Sequence, residues 1–207
     1  SVLELELALG CKCSDIIFSG PGKTDDELRY AVQNRDRVTL LTDSFRELHR
    51  VATILKKDTV GSNRTIKAGI RIQHQNNWNK FGIPLKDLVD LLKQARNISG
   101  LDLCGIQFHT SWNLEPTAQV RMINRIGRYI REKVPMDLLK SLQFLDIGGG
   151  FWPELGEWLN PQNTLKGKLM EILIPEAHSR LRHYYVKGQP INVFAQQIAD
   201  AVQRQGP

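Results

Sequence analysis

The sequence has few cysteines and no long apolar run. Three cysteines among 207 residues are too few for a disulfide framework, and Cys11 and Cys13 lack the second Cys or His pair that a zinc site needs. No apolar run approaches the ~18 residues of a membrane-spanning helix, and residues 1–6 lack the basic start of a signal peptide. We therefore predict a reduced, cytoplasmic compartment, no membrane partner and no metal.

The charge is mildly basic, and no nucleic-acid-binding motif accompanies it. Lys and Arg number 28 against 22 Asp and Glu, a net charge of +6. Arg121, Arg125 and Arg128 lie three or four residues apart with apolar residues between them, which is typical of the solvated face of an amphipathic helix. We therefore predict no nucleic-acid partner, whereas small anionic ligands suit a basic chain.

Short β-rich segments alternate with helical ones along most of the chain. The predicted strands are residues 15–19, 38–42, 65–72, 101–109 and 142–147. Thr24 with Glu27, and Ser44 with Glu47, have the spacing of capping boxes, which predicts helices that begin at both places. This alternation predicts a parallel sheet with right-handed crossovers, either an open doubly wound sheet or part of a (β/α)8 barrel.

The residues that follow the predicted strands are polar or glycine, and in both architectures ligands bind at this end of the strands. Gly148–Gly150 would be either a tight turn or a turn whose amides bind phosphate. His109 would be a base, a ligand, a flat ring against an aromatic cofactor, or a hydrogen-bonded residue at the edge of the core. Arg71 closes an apolar strand and suits a carboxylate or phosphate partner, whereas Glu4 on the first helix has the character of a surface residue.

Both ends of the sequence lie in helical patterns, over residues 2–9 and 192–203, and no Met begins the chain. A five-stranded slice of a barrel would expose two apolar strand edges, which folded proteins normally cover. We therefore expect the sequence to be part of a longer chain.

Taken in order, several segments resemble the pyridoxal-phosphate barrel domain of the ornithine/diaminopimelate decarboxylase family, a fold that alanine racemase shares. The segments that carry the resemblance are 1–5 (SVLEL), 16–24 (IIFSGPGKT), 42–44 (TDS) with 47–48 (EL), 71–72 (RI), 80–82 (KFG), 105–109 (GIQFH) and 145–151 (LDIGGGF). The resemblance implies that residues 1–207 form an incomplete TIM (β/α)8 barrel domain that binds pyridoxal 5′-phosphate.

The resemblance also implies roles for individual residues. His109 would stack on the cofactor ring, and the backbone of Gly148, Gly149 and Gly150 would hold the phosphate. Glu4 would match an acidic residue near the cofactor, and Arg71 would order the polar network around the site. Trp112 stands where the family has a phosphate-binding hydroxyl, which Ser111 or Thr110 would replace. Lys80 matches a lysine toward the family's subunit interface and is given no part in the chemistry.

The function implied is a pyridoxal-phosphate-dependent decarboxylase of a small amino acid, a homodimer in full length. The family's cofactor-binding lysine lies on a strand before the position of Ser1, and a β-rich second domain follows the barrel. Neither is in this sequence, so we expect the 207 residues alone to be inactive. The alternatives are a non-catalytic homologue that acts as a binding or regulatory module, and an amino-acid racemase on the same barrel.

Overall fold

The computed structural model describes residues 1–11, 13–58, 64–74, 81–159 and 184–205, together with positions 165, 169, 172 and 173. The chain divides into two compact units. The first comprises Ser1–His109 and Arg125–Gly148, and the second comprises Thr110–Asn124 and Gly149–Pro207. Within the described ranges, every helix is too short or too polar to cross a lipid bilayer.

The first unit is built on a five-stranded sheet in which each strand pairs in parallel with the next strand along the chain. The strands are β1 (Ile16–Phe18), β2 (Val38–Thr42), β3 (Ile66–Arg71), β4 (Leu101–Gln107) and β5 (Phe144–Asp146). The helices are α1 (Val2–Gly10), α2 (Asp25–Gln33), α3 (Phe45–Lys57), α4 (Leu88–Arg96), α5 (Thr117–Lys133), which begins in the second unit, and α6 (Met136–Leu139).

The order of the strands decides between the two predicted architectures. A doubly wound sheet reverses its strand order at a switch point, whereas a (β/α)8 barrel adds each strand beside the previous one. The order β1-β2-β3-β4-β5 has no reversal. The prediction of a partial TIM-like barrel is therefore confirmed, and the doubly wound alternative is wrong.

All five predicted strands are present, with ends that differ by up to two residues. The largest site-related difference is at β4, which ends at Gln107, so the prediction that His109 ends this strand is wrong. The Phe108 amide still donates to the Asp146 carbonyl, but β5 ends there and the chain turns at Gly148, where φ is +66°. His109 therefore lies just beyond the paired part of the sheet.

The core of the first unit lies where the apolar strands meet the helices. All five residues of β2 are buried, and Leu48 and Val51 of α3 are completely buried. Gly105 leaves the space that the Phe144 ring occupies, because a Cβ at Gly105 would lie 1.9 Å from Phe144 Cζ. Two neighbouring parallel strands are thus locked together by a ring that lies over a glycine.

Only one of the two predicted capping boxes is complete. At α2, the Thr24 hydroxyl accepts from the Glu27 amide, and Glu27 accepts from the Thr24 amide. At α3, the Ser44 hydroxyl accepts from the Glu47 amide, but the Glu47 carboxylate accepts from the Asp43 amide instead. The second box is therefore wrong in its Glu47 half, and that carboxylate is available for other partners.

The second unit contains an antiparallel strand pair that the sequence patterns did not predict, together with the last helix. β6 (Glu157–Leu159) pairs with β7 (Tyr184–Val186), and α7 (Ile191–Gln205) follows. The Trp152 indole is buried and donates to the Val186 carbonyl at 2.9 Å, so it fastens the segment after the glycine turn to β7. The helix predicted over 192–203 is confirmed.

Candidate functional site

A buried lysine lies at the carboxyl edge of the sheet, where the parallel strands end. Lys23 follows β1 and is 4% exposed. Its ammonium donates to the carbonyls of Gly20 at 2.6 Å and Leu41 at 2.7 Å, and both Glu47 carboxylate oxygens lie 3.4 Å away. Lys23 therefore ties the loop after β1 to the end of β2 through a paired, hydrogen-bonded charge.

Asp43, directly after β2, extends this group of charges. Its carboxylate is buried, 4.0 Å from the Lys23 ammonium and 3.6 Å from the Arg71 guanidinium, and both its oxygens lack a hydrogen-bond partner among the described residues. Burial raises the pKa of Asp43, and the nearby Lys23 and Arg71 charges oppose that rise. Asp43 is thus an ion-pair partner held without the hydrogen bonds that usually accompany a buried carboxylate.

Arg71, the last residue of β3, connects these charges to His109. Its guanidinium lies 5.7 Å from the centre of the Phe81 ring, a cation–π contact, and its side chain is 20% exposed. Desolvation lowers the pKa of His109 most, and the positive charge of Arg71 lowers it further, against the opposing effect of Asp146. The His109 imidazole is therefore biased towards its neutral form.

His109 and Gly148 lie against each other. A Cβ at Gly148 would lie 2.7 Å from His109 Nδ1 and 2.9 Å from the Phe108 carbonyl oxygen. The Gly148 amide donates to Asp146 Oδ1 at 2.7 Å, which fixes the start of the turn. No side chain fits at this position, and a positive φ is itself unfavourable for any residue but glycine. The first unit thus brings together His109, Arg71 and Gly148 of the predicted site residues.

In the second unit, the loop after β4 packs on Gly150. A Cβ at Gly150 would lie 2.2 Å from the Thr110 carbonyl oxygen, and Asn113 pairs with Phe151 in a parallel bridge. Gly149 and Gly150 are exposed, and a Cβ at Gly149 would meet nothing within 4 Å. The backbone after Gly148 is therefore accessible and has a defined conformation.

Ser111 and Trp112 are both exposed in this loop. Trp112 is 57% exposed and has φ of +62°, an unfavourable conformation for a bulky residue. Its ring stacks on Trp152 with 5.6 Å between the ring centres. An aromatic ring thus occupies the position at which the resemblance predicts a hydroxyl.

The remaining predicted residues lie elsewhere or outside the described ranges. The Glu4 side chain is 80% exposed, and its carboxylate accepts a hydrogen bond from the hydroxyl of Ser1. This contact lies at the start of α1 and includes none of the other predicted site residues. Lys80 lies outside the described residues.

The sequence patterns gave no role in the candidate site to Lys23, Asp43, Glu47 or Asn113. A signal was available for the first two, because Lys23 follows a glycine-rich turn after β1 and Asp43 directly follows β2, so both lie at the carboxyl edge. For Glu47 the capping-box spacing predicted a different partner. Asn113 has no local signal, because its partners include the distant Gly150.

Comparisons with known proteins show which family this chain is similar to. The family model of the pyridoxal-dependent decarboxylase, pyridoxal binding domain, matches residues 1–172. Diaminopimelate decarboxylase of Campylobacter jejuni is 29% identical over 161 residues, which are 72% of this chain and 39% of that protein. Antizyme inhibitor 2 of Xenopus laevis is 27% identical over 157 residues, which are 72% of this chain and 32% of that protein.

The fold is also found in a solved structure. Diaminopimelate decarboxylase of Helicobacter pylori, in complex with L-lysine, superposes with a TM-score of 0.67 at 21% identity, over 97% of this chain and 45% of that chain. The chain therefore spans less than half the length of each of these proteins. Because the family model covers more than half of the chain, the chain belongs to the pyridoxal-dependent decarboxylase family, as the resemblance predicted.

Proposed function

We propose that the whole protein is a pyridoxal-phosphate-dependent decarboxylase of a small amino acid, and that residues 1–207 belong to its barrel domain. The observation that carries the proposal is the contact between His109 and the turn at Gly148, beside the end of β3. This is the edge at which barrel enzymes bind their ligands.

The residues present fit this cofactor. The pKa of His109 is lowered, which favours the neutral imidazole, and a neutral aromatic ring can lie against a pyridine ring without adding a charge. In the second unit, Gly149 and Gly150 expose backbone of the kind that donates to phosphate oxygens. We propose that His109 contacts the ring and that Gly148, Gly149 and Gly150 hold the phosphate, with Ser111 as a further phosphate ligand.

Pyridoxal phosphate, when bound, supplies an electron sink for the carbanion that remains after CO2 departs. The residues of this chain provide position and charge. Asp43, which lies 4.0 Å from the Lys23 ammonium, pairs with Arg71 at the end of β3, and the positive charge of Arg71 adds to desolvation in lowering the pKa of His109. We assign Arg71 to the ordering of the site. Glu4 stays a prediction from the resemblance.

A first test compares His109→Ala with His109→Phe in the whole protein. The alanine variant loses the ring and should bind the cofactor about tenfold more weakly, whereas the phenylalanine variant keeps a flat aromatic face. Cofactor affinity is measured from the visible absorbance of the bound cofactor. Equal affinities for the parent and both variants would contradict the role of His109.

A second test separates the reaction classes. The whole protein is incubated with pyridoxal phosphate and either diaminopimelate or L-ornithine. CO2 release is measured for both substrates, and optical rotation is measured for L-ornithine, because meso-diaminopimelate has no optical rotation to lose. Release of CO2 supports the decarboxylase. Loss of optical rotation without CO2 would instead establish a racemase.

A non-catalytic role is the second candidate, favoured by Trp112 at the position of the expected hydroxyl and by a relative that is named as an antizyme inhibitor. It predicts neither CO2 release nor loss of optical rotation by the whole protein, even with cofactor in excess. We also propose that the whole protein is a homodimer, as the resemblance implies. Sedimentation equilibrium tests this, and a monomer at micromolar concentration would contradict it.

A further inference from the structure

Asn113, in the loop after β4, makes hydrogen bonds through both its backbone and its side chain. It is 6% exposed, its backbone amide donates to the Gly150 carbonyl at 3.0 Å, and its carbonyl accepts from the Trp152 amide at 2.9 Å. Its side-chain amide donates to the Gly150 carbonyl at 3.0 Å and to the carbonyl and hydroxyl of Thr110 at 3.1 and 3.0 Å. The Gly150 carbonyl oxygen therefore accepts two hydrogen bonds from one residue.

These bonds determine the orientation of the peptide between Gly150 and Phe151. The carbonyl and the following amide of a planar trans peptide point in opposite directions. Because Asn113 holds the Gly150 carbonyl, it also turns the Phe151 N–H away from itself. At Gly150 φ is +81°, and the Thr110 carbonyl leaves no space for a side chain, so only glycine fits there. Because the glycine backbone is intrinsically permissive, the hydrogen bonds from Asn113 are needed to hold its conformation.

The side chain of Asn113 matches this task. An aspartate of the same size has no donor for the Gly150 and Thr110 carbonyls, and leucine has no polar group. Trp112, its neighbour, carries no hydroxyl, so Ser111 and the backbone of the glycine turn are the groups that we propose as phosphate contacts. A residue that holds this backbone therefore gains importance in this chain.

We propose that Asn113 is a positioning residue that orients the backbone at Gly150 for the phosphate of the cofactor. This inference rests on the proposed function, because it assigns a phosphate to the glycine turn. It predicts that Asn113 affects the recognition of phosphate and leaves the recognition of the pyridine ring unchanged.

The test compares two probes that differ only in the phosphate, pyridoxal 5′-phosphate and pyridoxal. Dissociation constants are measured by equilibrium dialysis for the whole protein and for its variants Asn113→Leu and Asn113→Ser. Loss of the side-chain hydrogen bonds should weaken pyridoxal phosphate about tenfold in the leucine variant and less in the serine variant, which keeps a hydroxyl donor. Pyridoxal should bind all three with dissociation constants within about twofold, since no hydrogen bond to it is lost.

The ratio of the two constants distinguishes positioning from simple loss of stability. Ala201→Gly, at a buried position of α7 in the same unit, is the matched destabilised control and should leave the ratio unchanged. An unchanged ratio in both Asn113 variants would overturn the inference while the proposed function stands, and if the leucine variant does not fold, the serine variant alone decides. A parent protein that binds neither probe would overturn the proposed function and the inference together.

Discussion

Replacement of Lys23 by methionine tests whether the buried charges at the carboxyl edge depend on one another for the stability of the fold. Lys23→Met keeps a long apolar side chain in the site but removes the ammonium. The carbonyls of Gly20 and Leu41 then lose a donor at 2.6 and 2.7 Å. The carboxylate of Glu47, itself 4% exposed, keeps the Asp43 amide as its donor and loses its cation.

The size of the effect follows from the burial of both partners. Removal of one partner from a buried ion pair typically costs about 3–5 kcal/mol, because the other charge stays buried without compensation. That is a large part of the roughly 5–15 kcal/mol that a folded domain has in total. In Lys23→Met/Glu47→Gln the uncompensated charge is also removed, so the double variant should be more stable than Lys23→Met by at least about 1 kcal/mol.

Urea unfolding of the parent, the two single variants and the double variant gives all four corners of the cycle. The slopes must agree before the free energies are compared. The reasoning about an uncompensated charge is refuted if the free energy of unfolding of Lys23→Met lies within about 1 kcal/mol of that of the parent. It is also refuted if the double variant is the least stable of the four.

Three further predictions concern the first compact unit. Because burial raises the pKa of Asp43 above its ordinary 3.8, the folded protein loses stability as the pH rises from that value through the raised pKa, so Asp43→Asn should gain stability relative to the parent over this range. Urea midpoints measured at a series of pH values check this. A midpoint of the variant that decreases relative to that of the parent as the pH rises would contradict it. Arg71→Gln should raise the pKa of His109, because it removes a positive charge that lowers it; NMR titration of the imidazole measures this, and an unmoved pKa would disprove the coupling. Gly105→Ala should destabilise the protein by about 1–3 kcal/mol, because the new Cβ would overlap the Phe144 ring, and a calorimetric melting temperature equal to that of the parent would refute it.

Most of the first unit could be predicted from hydrophobic patterns. Parallel strands are covered on both faces, so each is written as a short apolar run, and all five such runs are strands. β6 and β7 have only three paired residues each and no such run, so their pairing depends on contacts that are distant in sequence. Patterns that are complete within one segment were sufficient for the sheet and insufficient for the strand pair.

The residues of the candidate site likewise differ in whether a local sequence pattern could predict their contacts. His109 and Gly148 carry local signals, a histidine after a strand and a glycine turn, and the structure brings them together. Glu47 carries a local signal too, but the spacing from Ser44 predicted a bond to the Ser44 amide. Instead, the Asp43 amide donates to the Glu47 carboxylate, and the Lys23 ammonium lies 3.4 Å from it. The buried Lys23 ammonium needs a negative partner, and few other groups are available to it. The Ser44 hydroxyl already accepts from the Glu47 amide, so the helix start is capped without the Glu47 carboxylate.

The loop after β4 shows how a distant partner can reverse a local preference. Asn tolerates positive φ better than a bulky aromatic residue does, so propensity alone predicts the left-handed conformation at Asn113 rather than at Trp112. The structure has the opposite arrangement, with φ of +62° at Trp112. Asn113 is instead turned so that its side chain and its backbone both reach the Gly150 carbonyl. The unfavourable conformation therefore falls on the residue whose ring is exposed, and the residue that holds the glycine turn is left free of it.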